Sequence, residues 1–231
     1  MLVEICIDSL ESAIAAQDGG AGRVELCEAL HVGGLTPHAE LIRAVRAALK
    51  LQLFTMIRPR AGNFVYDDSE FAQMQRDIEL AKSLGCDGVV LGILTAQDEI
   101  DIERTRALVE LARPIEVTFH RAFDEARNLE EALEAVIGTG ANRILTSGGE
   151  STALAGAAQL AKLNAKAAGR IQLMAGGGVR PGNVATLLRR TNLQEIHSAV
   201  TMISALKPSP WPFVRREDVI DLCRQAAEAF S

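Results

Sequence analysis

The sequence predicts an α/β protein: a single (β/α)8 TIM barrel with parallel strands, one domain over residues 1–231. Two observations lead there. Short β-branched runs alternate with longer amphipathic stretches eight times, and no linker or break in composition divides the chain. A third observation weighs against the alternative, an open doubly wound sheet. No GxGxxG follows the first apolar run, as a dinucleotide-binding sheet would require.

The elements follow in order. A strand at 2–7 (LVEICI) leads to a helix at 9–18, stopped by "DGGAGR" at 18–23. A strand at 23–28 (RVELCE) leads through the loop "ALHVGGLTP" to a helix at 38–49, with Thr36–Pro37 as its start signal. The strand at 52–58 (QLFTMIR) runs into the long loop "RPRAGNFVYDD" and a helix at 68–84; that loop is placed either over the barrel mouth or as an ordinary Ω-loop. The remaining strands are expected at 88–93, 115–120, 142–147, 170–175 and 194–199. Their helices are expected at 101–112, 128–138, 152–167, 181–190 and 215–229. A Pro-rich loop at 203–216 with the sole tryptophan, Trp211, precedes the last helix.

Composition narrows the function. About half the residues are hydrophobic, the formal charge is −6, and no Lys/Arg stripe appears, so nucleic acid is not an expected partner. The apolar runs are too short to cross a bilayer, and "MLVEICIDS" lacks the basic start of a signal peptide. A cytoplasmic, membrane-independent protein is expected. Four cysteines without CxxC spacing should then be reduced thiols.

In a barrel strand, side chains alternate between lumen and helix layer. Val3, Ile5 and Ile7 suit the helix layer, which turns Glu4, Cys6 and Asp8 inward. The same parity turns Arg23, Glu25 and Cys27 inward on strand 2, and Phe54, Met56 and Arg58 on strand 3. On strand 5 it selects Glu116, Thr118 and His120, and on strand 8 His197 lies on the opposite parity from Ile196. Barrel lumens are usually filled by Val, Ile and Leu. Here the lumen is expected to hold Glu4, Glu25, Arg58 and His120, with Asp8 and Arg60 near the rim. Either Glu4 and Glu25 pair with Arg58 as a structural plug, or the group is a site at the C-terminal end where barrel sites sit.

Within "VTFHRAFD" (117–124), His120 points into the mouth. Arg121 has the opposite parity and braces a neighbouring loop, and Asp124 is a cap or an arginine partner. Strands 6 and 7 end in "TSGG" and "AGGGV". The amides of Ser147, Gly148, Gly149, Gly176, Gly177 and Gly178 are therefore candidate anion ligands beside Arg58 and Arg60, although turns also need glycine. All five lysines lie off the strands, which disfavours Schiff-base chemistry. No hard-metal, zinc or organic-cofactor motif is present.

Cys6 and Cys27 fall late on neighbouring inward-facing strands. Two thiols with the Met56 thioether would suit Cu(I); equally, each could be a small buried hydrophobe.

The segments "ICIDSLESAIAAQDGGAGRVELCEAL", "GGLTP", "MIRPRAGNFVY", "VTFHRAFD", "LTSGG" and "GGGV" resemble, in order from residue 3 to about residue 200, the copper homeostasis protein CutC family. The resemblance implies a cytoplasmic TIM barrel, a homo-oligomer, with Cys6 and Cys27 at the positions proposed to bind Cu(I). Two function classes follow. One is copper homeostasis. The other is an isomerase, epimerase or lyase acting on a small phosphorylated or carboxylate metabolite, with Glu4 or Glu25 and His120 as acid and base and Arg58 on the anion. The expected partner is accordingly a copper ion or a small anionic metabolite.

Overall fold

A computed structural model describes residues 1–200 and 214–230 of the chain. The strands are β1 (Leu2–Ile7), β2 (Arg23–Leu26), β3 (Gln52–Met56), β4 (Gly88–Leu91), β5 (Glu116–Phe119), β6 (Arg143–Thr146), β7 (Gln172–Ala175) and β8 (Glu195–Ser198). They close in sequence order, all parallel, with β8 paired to β1. The helices are α1 (Leu10–Asp18), α2 (Ala39–Ala48), α3 (Asp68–Ser83), α4 (Ile102–Ala112), α5 (Leu129–Thr139), α6 (Ala157–Ala167), α7 (Val184–Thr191) and α8 (Arg216–Ala227). This is the (β/α)8 barrel that the alternation of patterns predicts. Most of the Pro-rich segment 203–216, with Trp211 and Lys207, lies outside the described residues; the other four lysines are off the strands.

Helix starts follow local chemistry. Ser9 caps α1 by accepting from the Ser12 amide at 3.2 Å, and Asp67 and Glu70 form a reciprocal capping box on α3. Several boundaries differ from expectation, three of them for a physical reason. Strands 2 and 3 end early because the chain leaves the ladder to build the mouth: Glu28 bridges to Leu35, and the Arg58 amide turns to the Thr36 hydroxyl at 2.9 Å. Helix α6 starts five residues late. Residues 152–156 instead tie two strand-end loops together, through the Ala153 amide on the Gly177 carbonyl at 2.8 Å.

The apolar core lies between barrel and helices. Val3, Ile5, Ile7, Val24, Leu26, Leu53, Ile57, Val117, Phe119 and Ile196 are all buried there. A second, smaller apolar cluster fills the lumen: Cys6, Cys27, Phe54, Met56 and Val90. The inside–outside parity read from the strands is the parity observed.

Candidate functional site

The lumen carries its charges in two storeys. In the lower one, the Arg23 guanidinium is fully buried and bonded to Glu4, and it reaches Glu195 at 2.8 Å. Arg143 joins from β6, contacting Glu195 and, at 3.1 Å, Glu116. Both guanidiniums lie over the Phe54 ring, at 4.8 and 5.5 Å. The plug considered from the sequence therefore exists with a different cation: Glu4 pairs with Arg23, and Arg58 makes no ion pair with either glutamate. Arg58 is too far up the barrel, at a strand end already turning into its loop. Arg143 and Glu195 were not anticipated, although each stands at the first position of a strand with inward parity, which was the available signal.

Above this storey stands a linked set of titratable groups. Glu4 Oε1 lies 2.7 Å from His197 Nδ1, and His197 Nε2 lies 3.8 Å from Glu25 Oε2. Cys27 Sγ is 3.5 Å from Glu25 Oε2 and 4.0 Å from Cys6 Sγ. In register Cys6 faces Glu25, and Cys27 follows β2, so strand stagger brings the two sulfurs together. Gly34, at φ +88°, is required beside them, because a Cβ there would stand 3.0 Å from the Cys27 sulfur.

These groups set one another's protonation. Burial opposes ionisation of Glu4, but the Arg23 charge and His197 outweigh it and hold its carboxyl at about 2. The Cys27 hydrogen bond, against burial and with help from His197, brings the Cys6 thiol down to about 5. Its partner Cys27 is pushed well up by that same hydrogen bond and by burial. Glu25 is pushed well up by burial and by the Cys6 charge. His197 is raised although burial opposes it, because Glu25, Cys6 and Glu4 all favour the imidazolium. The shifts favour the cationic form of Arg23 and His197, the anionic form of Glu4 and Cys6, and the protonated form of Cys27.

Over this set opens a cavity of about 610 Å³, walled among others by Cys6, Glu25, Met56, Arg58, Phe64 and His120. That is the size of a small-molecule site, at the barrel end where such sites sit. Glu4 and Cys27 stand behind its wall rather than in it. Arg58 donates to the carbonyls of Val32, Gly34 and Gly62, fastening the loops after β2 and β3 together. The loop after β3 reaches the mouth through Phe64, whose ring is 4.8 Å from the Arg58 guanidinium and 4.8 Å from the His120 ring.

His120 is buried, and burial with the nearby Arg58 charge lowers it to about 3. Its Nδ1 accepts from the Ala122 amide at 3.1 Å, which leaves the proton on Nε2. Gly92, at the end of β4, makes room: a Cβ there would come within 2.5 Å of Nδ1.

The glycine loops stand elsewhere. The Asp124 carboxylate accepts from the Ser147 and Gly149 amides, at 3.0 and 3.1 Å, and from the Thr146 and Ser147 hydroxyls. An internal anion thus fills the cradle predicted for an external one, and Arg121 pairs with Asp124 at 2.8 Å. Arg121 does brace a neighbouring loop, through the Ser147 hydroxyl at 2.9 Å. Gly148 donates to the Thr146 hydroxyl and Gly176 to the Thr146 carbonyl, while Gly177 and Gly178 line the adjoining turn. Arg60 is spent on Glu70 and on carbonyls of its own loop. None of Arg60, Ser147, Gly148, Gly149, Gly176, Gly177 or Gly178 is part of the cavity wall.

The sequence matches the profile of the CutC family over residues 1–202. The chain belongs to the CutC family. A CutC family protein of Chromobacterium violaceum is 51% identical over 198 residues, covering 86% of this chain and 80% of that one. Another from Xanthomonas axonopodis pv. citri is 45% identical over 216 residues, covering 93% and 90%. Among solved structures, CutC of Streptococcus agalactiae, named for copper homeostasis, superposes with a TM-score of 0.82 at 32% identity, covering 86% of this chain and 98% of its own. The barrel and its mouth are thus those of a CutC family member.

Proposed function

We propose that the protein serves copper homeostasis in the cytoplasm, as a homo-oligomer, by holding Cu(I) between Cys6 and Cys27. The observation that carries this reading is the sulfur pair, 4.0 Å apart in a soft, apolar pocket with the Met56 thioether in the same cluster. Thiolates and thioethers are the ligands that select Cu(I), and two metal–thiolate bonds of about 2.3 Å, the length in zinc sites, span a gap of this size. Cys6 is held as the thiolate, the form that binds metal. Glu25 adds an oxygen within 4.8 Å of both sulfurs, which matters less for a soft ion. A cytoplasmic place keeps the thiols reduced, and no helix among the described residues is long and apolar enough to cross a membrane.

The test is an anaerobic Cu(I) titration against a competing chelator. The native protein is expected to take one equivalent tightly, and Cys6→Ser/Cys27→Ser none. Equal affinity in the two proteins would refute the assignment.

A further inference from the structure

Two donors at the mouth have no use in the copper reading. The Arg58 Nε–H and the His120 Nε2 are both buried, and neither makes a well-aligned hydrogen bond in the protein, although the buried Tyr66 hydroxyl interacts with the Arg58 side chain. Buried donors are satisfied in nearly all native structures, so each calls for an acceptor. The two residues share one wall of the 610 Å³ cavity, flanking the Phe64 ring at 4.8 Å from each.

Charge points the same way. Among the described residues lining that cavity, Arg58 is the one guanidinium with no carboxylate partner; its other nitrogens are taken by three backbone carbonyls. A buried cation without a counter-ion is costly. His120, lowered to about 3, supplies a donor without a second charge. Arg121 and His197 also line the cavity but are paired with Asp124 and Glu4, so the Arg58–His120 side of the wall presents one unpaired positive charge and two N–H groups. The cavity wall also contains the Asp8 carboxyl, which disfavours a dianion.

We propose that the cavity of this protein binds a small organic monocarboxylate, its two oxygens accepting from Arg58 Nε and His120 Nε2, apart from the thiol pair. One negative charge matches one guanidinium, and two oxygens match two donors. The carboxylate completes a hydrogen-bonding shell that the fold leaves open, and Phe64 supplies the apolar face for the rest of the molecule.

The experiment uses copper-free protein in the presence of a Cu(I) chelator, so that its outcome does not depend on Cys6 and Cys27. Acetate, glycolate, lactate and pyruvate are titrated individually, with inorganic phosphate as the control. Nitrogen-15 spectra follow the His120 imidazole, and calorimetry follows binding. At least one of the carboxylates should bind one site saturably and shift the Nε2–H signal of the native protein. His120→Phe should bind that carboxylate about 10- to 100-fold more weakly, the loss of one charge-assisted bond. Arg58→Gln should lose binding further, with Arg58→Lys recovering part of it. Because Arg58 also holds two loops, the imidazole signal of the native protein decides the matter if that variant fails to fold. The proposal is overturned if none of the four carboxylates moves the His120 signal, if phosphate binds in preference, or if His120→Phe binds as tightly as the native protein.

Discussion

The two storeys of the lumen use the same residue types to opposite ends. Below, Glu4, Arg23, Arg143, Glu195 and Glu116 answer one another. The one idle nitrogen, Arg23 Nη1, belongs to a guanidinium lying over the Phe54 face. Above, the Arg58 cation has no counter-ion, and Glu25 Oε1 and His120 Nε2 have no partner. A buried charge inside a closed network is architecture. A buried donor left open beside a cavity is a receptor. The comparison teaches that polarity in a barrel lumen says little about function until its satisfaction is counted.

The sharpest way to break the comparison is the pair of thiols just above its boundary. Cys6 is held down at about 5 and Cys86 is pushed up to about 12, so their alkylation should differ by orders of magnitude at neutral pH. The pH–rate profile of Cys6 labelling, read by mass spectrometry with Cys6→Ser as control, should level off above about pH 5, while Cys86 keeps rising to the top of the range. A Cys6 profile that climbs through the ordinary thiol range would remove the thiolate from the account.

Next in size is the lower storey. Arg23→Met strands the Glu4 charge and should cost about 3–5 kcal/mol of stability, read by urea unfolding. Glu4→Gln in the same chain should return part of that loss, since removing both partners costs less than removing one.

A third test lies in acid. His120 is at about 3 in the folded protein against 6.5 unfolded, so the unfolded chain binds the extra proton between those values. The contribution is complete above about pH 6.5 and is lost as the pH falls toward 3. Native stability should therefore drop by up to about 1.4 kcal/mol per pH unit in that window relative to His120→Gln. Parallel curves for the two proteins would mean that the imidazole is not held neutral.

The smallest effect should come from outside both storeys. Arg113–Glu110 is an exposed pair at the end of α4, and Glu110→Ala should change stability by only about 0–1 kcal/mol.

The fold was legible because its signal is repeated. Eight alternations of period leave little else to build, and strand parity correctly turned Glu4, Cys6, Glu25, Phe54, Met56 and His120 inward. Partners were less legible, because parity gives a direction and not a height. The sequence offers Arg58, on a strand two places away, as a partner for Glu4, whereas the strand register sets Glu4 against Arg23 and His197. The glycine loops carry the residues of an anion cradle. Nothing local shows that Asp124, more than 20 residues earlier, folds back as the anion. The open valences of Arg58 and His120 could not be seen at all, since a missing partner is a property of the assembled mouth.

In the proposed reading the thiol pair is a metal site rather than part of the packed lumen. X-ray absorption at the copper edge, on protein loaded with one equivalent of Cu(I), tests it directly. A thiolate-bound Cu(I) gives a shell of at least two sulfur neighbours that disappears in Cys6→Ser/Cys27→Ser. A first shell of nitrogen and oxygen alone, or one unchanged by the double substitution, would contradict it.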